Sequence, residues 1–393
     1  MAASIRIGRI FGIPIYMHLT FLIILPLFIY IFSAPPNQVT VLGIPLSFKD
    51  LQAADWVKYA WGTVATVLFF VTVLLHEFAH SYLALKYGVK IKRITLMIFG
   101  GVSEMEEVPR GYGQEWRMAA AGPLTSFVIG VASYFGWYAL GLVANPPMVI
   151  TALSVLFGVM AIYSLLLAGF NFIPAFPMDG GRVLRSLFAE RMPFLEATRR
   201  AARIGRYFAI GMSIFGILTL NFFFIIIALF VYIGATEEEQ ATAISESLHG
   251  TPVGKIMTTD VQVVHPDTTI QQLNDLMLST KHMGFPVVDR GLVGIVTLTD
   301  THKVSRDRLE HMKVADIMTR NVITVPPDMD SAKALNIMLE HRISRLVVLQ
   351  GQVIVGIITQ KDFLRAVNTL ALQKQTARWG EQFSQQPPVT PPV

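Results

Sequence analysis

The sequence predicts a multi-pass α-helical membrane region of about six transmembrane helices with a membrane-associated β-hairpin, followed by a soluble α/β region. Three observations predict it. The chain of 393 residues is 53% hydrophobic and only 15% charged. That average hides a step, because residues 1–235 are apolar and aromatic whereas 236–393 interleave acids and bases. The second part also repeats itself, and an internal repeat constrains a fold before any local propensity does.

A helix needs ~20 mostly apolar residues to span a bilayer. Such runs occur at Ile13–Phe32, Val57–Leu85, Arg117–Leu142 and Met148–Phe170. A further run, Tyr207–Ile233, has 27 residues and reads as two short helices turning near Leu220–Asn221. The run after Arg9 is too long for the apolar part of a signal peptide, so it is expected to stay as a helix. Basic residues sort the connections. Arg6 and Arg9 precede the first run, and Lys86, Lys90, Lys92 and Arg93 follow the second. Arg182, Arg185, Arg191, Arg199, Arg200, Arg203 and Arg206 lie between the fourth and fifth, while 33–56 and 143–147 carry few cations. The basic side is cytoplasmic by the positive-inside rule. Both termini and the soluble region are therefore expected in the cytoplasm, with the helices in a prokaryotic cell membrane. The same pattern accounts for the net charge of +5 without nucleic acid. There is no cysteine, which excludes disulfides and thiolate-held metals.

Val89–Met105 alternates loosely on either side of Phe99-Gly100-Gly101, which predicts a β-hairpin. Flanked by helices, its backbone must be shielded by protein or line a wet cavity. Its strand Ile94, Thr95, Leu96, Met97 and Ile98 is expected to offer an edge to which an unwound substrate segment can pair.

The strongest chemical signal is His76-Glu77-Phe78-Ala79-His80, preceded by the apolar run 69–75. On a helix, positions i and i+4 share a face, so both imidazoles can reach one metal ion. Glu77 beside them can take a proton from a water that the metal activates. A polar patch between helices is the plainer alternative, but ionisable groups inside an apolar span are costly and functional by default. A catalytic zinc needs a third protein ligand. Before residue 236 the aspartates are Asp50, Asp55 and Asp179, and the only other histidine is His18. Asp50 and Asp55 fall on the opposite side of the membrane. Asp179 closes Asn171-Phe172-Ile173-Pro174-Ala175-Phe176-Pro177-Met178-Asp179-Gly180-Gly181, where prolines stop the helix and glycines allow close approach. A capped Pro-Gly turn would explain that segment alone; next to the His pair, Asp179 is preferred as the ligand.

A histidine–glutamate motif in a membrane helix, a Gly-rich hairpin and a later Asn-Pro-Pro-Asp-Gly-Gly segment resemble the site-2 protease family of intramembrane zinc metalloproteases, over Arg6 to Ala235. The resemblance implies that His76, His80 and Asp179 bind one Zn2+, that Glu77 is the general base and that Asn171 holds substrate or oxyanion. It also implies a single-span membrane-protein substrate, such as an anti-sigma factor or a membrane-tethered regulator.

In the soluble part, Val253-Gly254-Lys255-Ile256-Met257-Thr258 recurs 61 residues later as Val314-Ala315-Asp316-Ile317-Met318-Thr319. Gly294–Asp300 recurs as Gly356–Asp362. The pair resembles two cystathionine-β-synthase (CBS) domains over Thr251–Val367. The expected organisation is a metalloprotease region 1–235, a linker 236–250, CBS domains 251–308 and 309–370, and a disordered tail 371–393. The resemblance implies an adenine nucleotide, ATP or AMP, at Thr297/Asp300 and Thr359/Asp362, and a homodimer through the CBS domains. A carboxylate can accept from both ribose hydroxyls, but the same Thr and Asp would also cap the following helix. His18 is read as a helix contact or an approach to the metal. A transporter is the rival reading, since CBS pairs regulate those too; no inverted repeat of broken helices supports it. A catalytically dead scaffold is the other, and the full set of ligands plus base argues against it.

Overall fold

The structure is a computed structural model and describes residues 4–97, 100–105, 113–305 and 308–369. It divides into two compact units, residues 1–240 and 241–393.

The first unit begins with strands β1 (Ser4–Ile10) and β2 (Ile13–His18), then helix α1 (Phe21–Ser33). A small hairpin of β3 (Thr40–Val41) and β4 (Ile44–Pro45) precedes α2 (Asp55–Lys86). Strands β5 (Ile91–Met97) and β6 (Gly100–Met105) form the expected hairpin. The helices α3 (Gln114–Gly141), α4 (Met148–Phe172), α5 (Asp179–Ala189), α6 (Phe194–Leu218) and α7 (Phe222–Leu248) follow.

Among the described residues, four helices, α2, α3, α4 and α6, are long and apolar enough to cross a membrane. Large apolar side chains such as Val67, Phe127, Phe135 and Ile214 face outward from them, as a lipid-facing surface requires. α1 is apolar but has only 13 residues. The Tyr207–Ile233 run breaks at Thr219–Asn221, so α6 and α7 are separate helices as expected. The segment expected as a linker is helical to Leu248, and the C-terminal tail 371–393 lies outside the described residues.

One expected span is corrected. Ile13–Phe32 is not a single helix. Ile13, Ile15 and Met17 alternate with Pro14, Tyr16 and His18, and this half forms β2, with Ile13 and Ile15 buried. β2 pairs antiparallel with β1 and parallel with β5, giving a four-stranded sheet in the order β1-β2-β5-β6. The helical half packs Phe28 and Phe32 against Phe69, Phe70 and Tyr163 of α2 and α4.

The second correction follows from the first. Ile94, Thr95 and Leu96 pair with Ile15, Tyr16 and Met17 on one side, and with Ser103, Val102 and Gly101 on the other. Met97 pairs with Gly100, and Ile98 lies outside the described residues. β5 is therefore an inner strand with no vacant edge over Ile94–Leu96. The outer strand on this side, among the described residues, is β6.

The second unit shows the repeat. α8 (Ile270–Thr280), β7 (Gly284–Val288), β8 (Leu292–Thr297) and α9 (Leu298–Thr301) form the first copy. After α10 (Val314–Ile317) and β9 (Thr324–Val325), α11 (Ser331–His341), β10 (Arg345–Gln350), β11 (Val353–Thr359) and a helix over 360–369 form the second. Thr269 and Asp330 cap α8 and α11 by accepting from backbone N–H groups of the first turn. The lead segments are exchanged. Thr258 bridges Ile357 of the second copy, and Thr319 bridges Ile295 of the first. Val253 accordingly packs with Leu346 and Val348, and Val314 with Phe285 and Val287.

Candidate metal centre

α2 carries His76 and His80 one turn apart on its inner face, both buried. α5 opens on Asp179, where Gly180 and Gly181 lie so close to the backbone of 172–176 that no Cβ would fit. The carboxylate Oδ2 stands 3.1 Å from His76 Nε2 and 3.0 Å from His80 Nε2. The three ligand atoms lie within 4.8 Å of one another.

The face of α3 opposite these groups is built to hold a metal. His80 Nδ1 donates to the Met118 carbonyl at 2.7 Å. That bond leaves Nε2 without a proton and free to ligate. His76 Nδ1 lies 3.0 Å from Ser126 Oγ. Between them, Gly122 leaves the space in front of both Nε2 atoms, which a Cβ would fill. Donor type, tautomer and free space together fit zinc, which takes imidazole and carboxylate ligands.

Glu77, next to His76 on α2, meets the sheet and shares a cavity with His80. Ser103 Oγ of β6 donates to Glu77 Oε2 at 3.0 Å and lies 3.1 Å from Ser81 Oγ. Gly101 of β6 packs against the Glu77 side chain so closely that a Cβ would collide with its Cγ. The cavity at this point is lined by Glu77, His80, Ser103, Met105, Met118 and Arg182.

α5 is locked in place by a buried ionic cluster. Arg185 donates to Glu115 on α3 and, at 2.6 Å, to Glu238 on α7. Its guanidinium also lies over the rings of Phe176 and Phe194, 5.1 and 4.8 Å from their centroids. Burial would lower the Arg185 pKa, but Glu115 and Glu238 hold it above its ordinary value.

The structure thus brings together His76, Glu77, His80 and Asp179. It does not bring Asn171 to the cavity wall; that amide donates to Leu167 O on its own helix at 3.0 Å. His18 turns to Thr20 Oγ1 at 2.8 Å, away from the metal group. Ser103, Ser126, Gly122 and Arg182 were not singled out from the sequence. A periodic signal existed for part of this set, since Met118, Gly122 and Ser126 recur every fourth residue. In the second unit, Thr297 and Thr359 each donate to their own aspartate, Asp300 and Asp362, at 2.7 Å.

Two buried imidazoles and a carboxylate, with a second carboxylate held alongside, define a metal-dependent hydrolase built into a membrane-length helix. Comparison with known proteins agrees. Residues 64–145 and 139–212 match Peptidase family M50, and residues 253–305 and 314–369 each match the CBS domain. The chain is 35% identical over 376 residues to Zinc metalloprotease MJ0392 of Methanocaldococcus jannaschii, across 95% of this chain and 99% of that one. It is 30% identical over 154 residues to Stage IV sporulation protein FB of Bacillus subtilis, across 37% of this chain and 49% of that one. Among solved structures it is similar to the Site-2 Protease from Methanocaldococcus jannaschii, at 38% identity and a TM-score of 0.41, covering 60% of this chain and 95% of that one. The chain belongs to peptidase family M50 and is a zinc metalloprotease of the site-2 type with a CBS domain pair.

Proposed function

We propose that the protein hydrolyses peptide bonds within or next to the transmembrane segments of single-span membrane proteins, with its CBS pair in the cytoplasm modulating the rate in response to a nucleotide. The observation that carries this reading is the position of the site. His76, Glu77 and His80 lie in a 32-residue helix of membrane-spanning character, and Asp179 converges on both imidazoles.

In this reading His76, His80 and Asp179 hold the metal. When bound, zinc polarises a water and the scissile carbonyl as a Lewis acid. Glu77 takes a proton from the water as its oxygen attacks the carbonyl carbon, and delivers it to the amine nitrogen as the C–N bond breaks. Ser103 keeps the Glu77 carboxylate aimed at the cavity by donating to Oε2. Asn171 Nδ2 donates one N–H to Leu167 O, which leaves its second N–H for a substrate carbonyl; Asn171→Ala then lowers turnover without lowering zinc content.

A peptide bond inside a helix is shielded by its own hydrogen bonds, so the substrate must unwind locally. Its freed N–H and C=O groups then need partners. In this reading β6 supplies them, supported by its being the outer strand on this side among the described residues and by its contact with Glu77 through Gly101 and Ser103. Cleavage of a single-span substrate in liposomes by the wild-type protein and by Asp179→Ala tests the reading. Asp179→Ala is expected to lose both zinc and cleavage; cleavage at the wild-type rate by that variant sinks the assignment.

A further inference from the structure

α5 carries two arginines, and their surroundings differ. Arg185 is buried and fully engaged, by Glu115, by Glu238 and by the rings of Phe176 and Phe194. Arg182, one turn nearer the start of the helix, is half-buried and lines the cavity that holds Glu77 and His80. It has no hydrogen bond or ion pair among the described residues. Asp179 lies three residues before it on the same helix, but that carboxylate turns to the two imidazoles. Glu77, on the same cavity wall, is held by Ser103. Both carboxylates that could neutralise Arg182 are thus directed elsewhere.

Drawing a charge out of water is costly unless it is paired. Here the missing partner is one that the reaction itself supplies. Arginine stays protonated at any working pH, so Arg182 cannot act as an acid or a base. It offers a fixed positive charge and a fork of N–H donors. Among the described residues lining this cavity, it alone carries a permanent positive charge. Met105 and Met118 border the same space and keep its dielectric low, which strengthens a charge interaction there. Asn171, expected from the sequence to hold substrate or oxyanion, does not line this cavity.

We infer that Arg182 is a further catalytic residue, donating to the oxygen of the scissile carbonyl as that oxygen takes up negative charge. This rests on the peptidase reading above and adds a residue to it. As the water oxygen bonds to the carbonyl carbon, the π pair of the C=O bond moves onto the carbonyl oxygen, and Arg182 donates N–H to it. When the C–N bond breaks, the pair returns to the carbonyl, and the amine nitrogen leaves with the proton that Glu77 carried. A cation gains little from a neutral carbonyl and much from a charged oxygen, so the contact lowers the barrier more than it tightens binding.

The test uses the full-length protein in liposomes with a single-span substrate, and compares wild type, Arg182→Ala and Arg182→Lys for zinc per chain, kcat and KM. Arg182→Ala is expected to keep its zinc and nearly its KM, while kcat falls by about 100–1,000-fold, as for loss of one oxyanion donor. Arg182→Lys keeps a charge at the site and is expected to lose less. Millimolar guanidinium is expected to restore part of the turnover of Arg182→Ala and to leave wild type unchanged, a rescue that a merely structural arginine would not show. Wild-type kcat in Arg182→Ala, a loss confined to KM, a loss of zinc, or a fall in kcat that guanidinium does not relieve would each overturn the inference and leave the peptidase reading standing. No cleavage by the zinc-loaded wild-type protein overturns that reading itself.

Discussion

Met118, Gly122 and Ser126 form one stripe along α3, because residues four apart share a helix face. Two of them anchor the outer nitrogens of the imidazoles and the third makes room for the inner ones. Each therefore carries a distinct prediction. Gly122→Ala places a methyl against both Nε2 atoms, so zinc content should fall along with activity. Ser126→Ala keeps the space but frees the His76 ring, so zinc affinity should fall by about 10–100-fold, as for other groups that orient a ligand. Gly101→Ala is the contrasting case. It displaces Glu77 rather than a ligand, so zinc should stay and turnover should drop. Metal analysis beside a cleavage assay separates the three. If Gly101→Ala loses zinc as Gly122→Ala does, Glu77 and the metal ligands are not separately positioned. The sequence made the four central groups legible because few residue types can hold or serve zinc, and the apolar run around His76–His80 leaves little else for them to do. Ser103, Ser126 and Arg182 were not legible. Ser and Arg are common, and nothing local to them shows that β6, α3 and α5 converge on α2.

At the scale of elements, α5 is held by an ionic triad, Arg185 with Glu115 and Glu238, whose members come from three helices. Arg185 and Glu115 are both buried, with side chains 4% exposed. Removing the cation strands the buried Glu115 carboxylate, and breaking a buried pair in this way costs about 3–5 kcal/mol. Arg185→Ala should therefore lower the unfolding temperature and loosen Asp179, which begins the same helix. A variant as stable as wild type, with full zinc, would show that α5 is held by other contacts. The outer strand gives a second prediction. Proline has no N–H, so proline on β6 at residues whose N–H groups face away from β5 should slow cleavage while zinc is retained. Helix-breaking residues near the cut site of a substrate should speed it. Normal cleavage by such proline variants would move the docking site elsewhere. The hairpin itself was legible from Gly100-Gly101 and the loose alternation around them. β2 was not, because an apolar stretch of six residues reads equally as strand or helix until its pairing partner is known. Once Ile13–His18 is a strand, it occupies the edge of β5, and among the described residues the outer strand on that side is β6.

For the whole chain, the composition step lies near residue 235, and the structure divides after Gln240. What the step concealed is that α7 runs through it. Glu238 and Glu239 pair with Arg185 and Arg206 in the first unit, at 2.6 and 2.7 Å. Leu248, on the same helix, is buried in the core of the second. A truncation meant to isolate the protease should therefore end after Gln240 and keep both glutamates. Such a protein should cleave but no longer respond to nucleotide, and a nucleotide effect of roughly 5–150-fold on the intact chain is the range expected for coupled sites. The exchange of Val253–Thr258 and Val314–Thr319 between the two copies was also invisible, because a repeat in sequence does not say which copy a lead segment packs against.

The central claim is that Glu77 is the base beside a zinc held by His76, His80 and Asp179. The most direct test compares wild type with Glu77→Gln, measuring zinc per chain and cleavage of one single-span substrate in the same liposome preparation. One zinc per chain is expected in both proteins, with at least a ~100-fold loss of cleavage in the variant, the lower end of what a general base contributes. Cleavage by Glu77→Gln at the wild-type rate, with zinc bound, would contradict it.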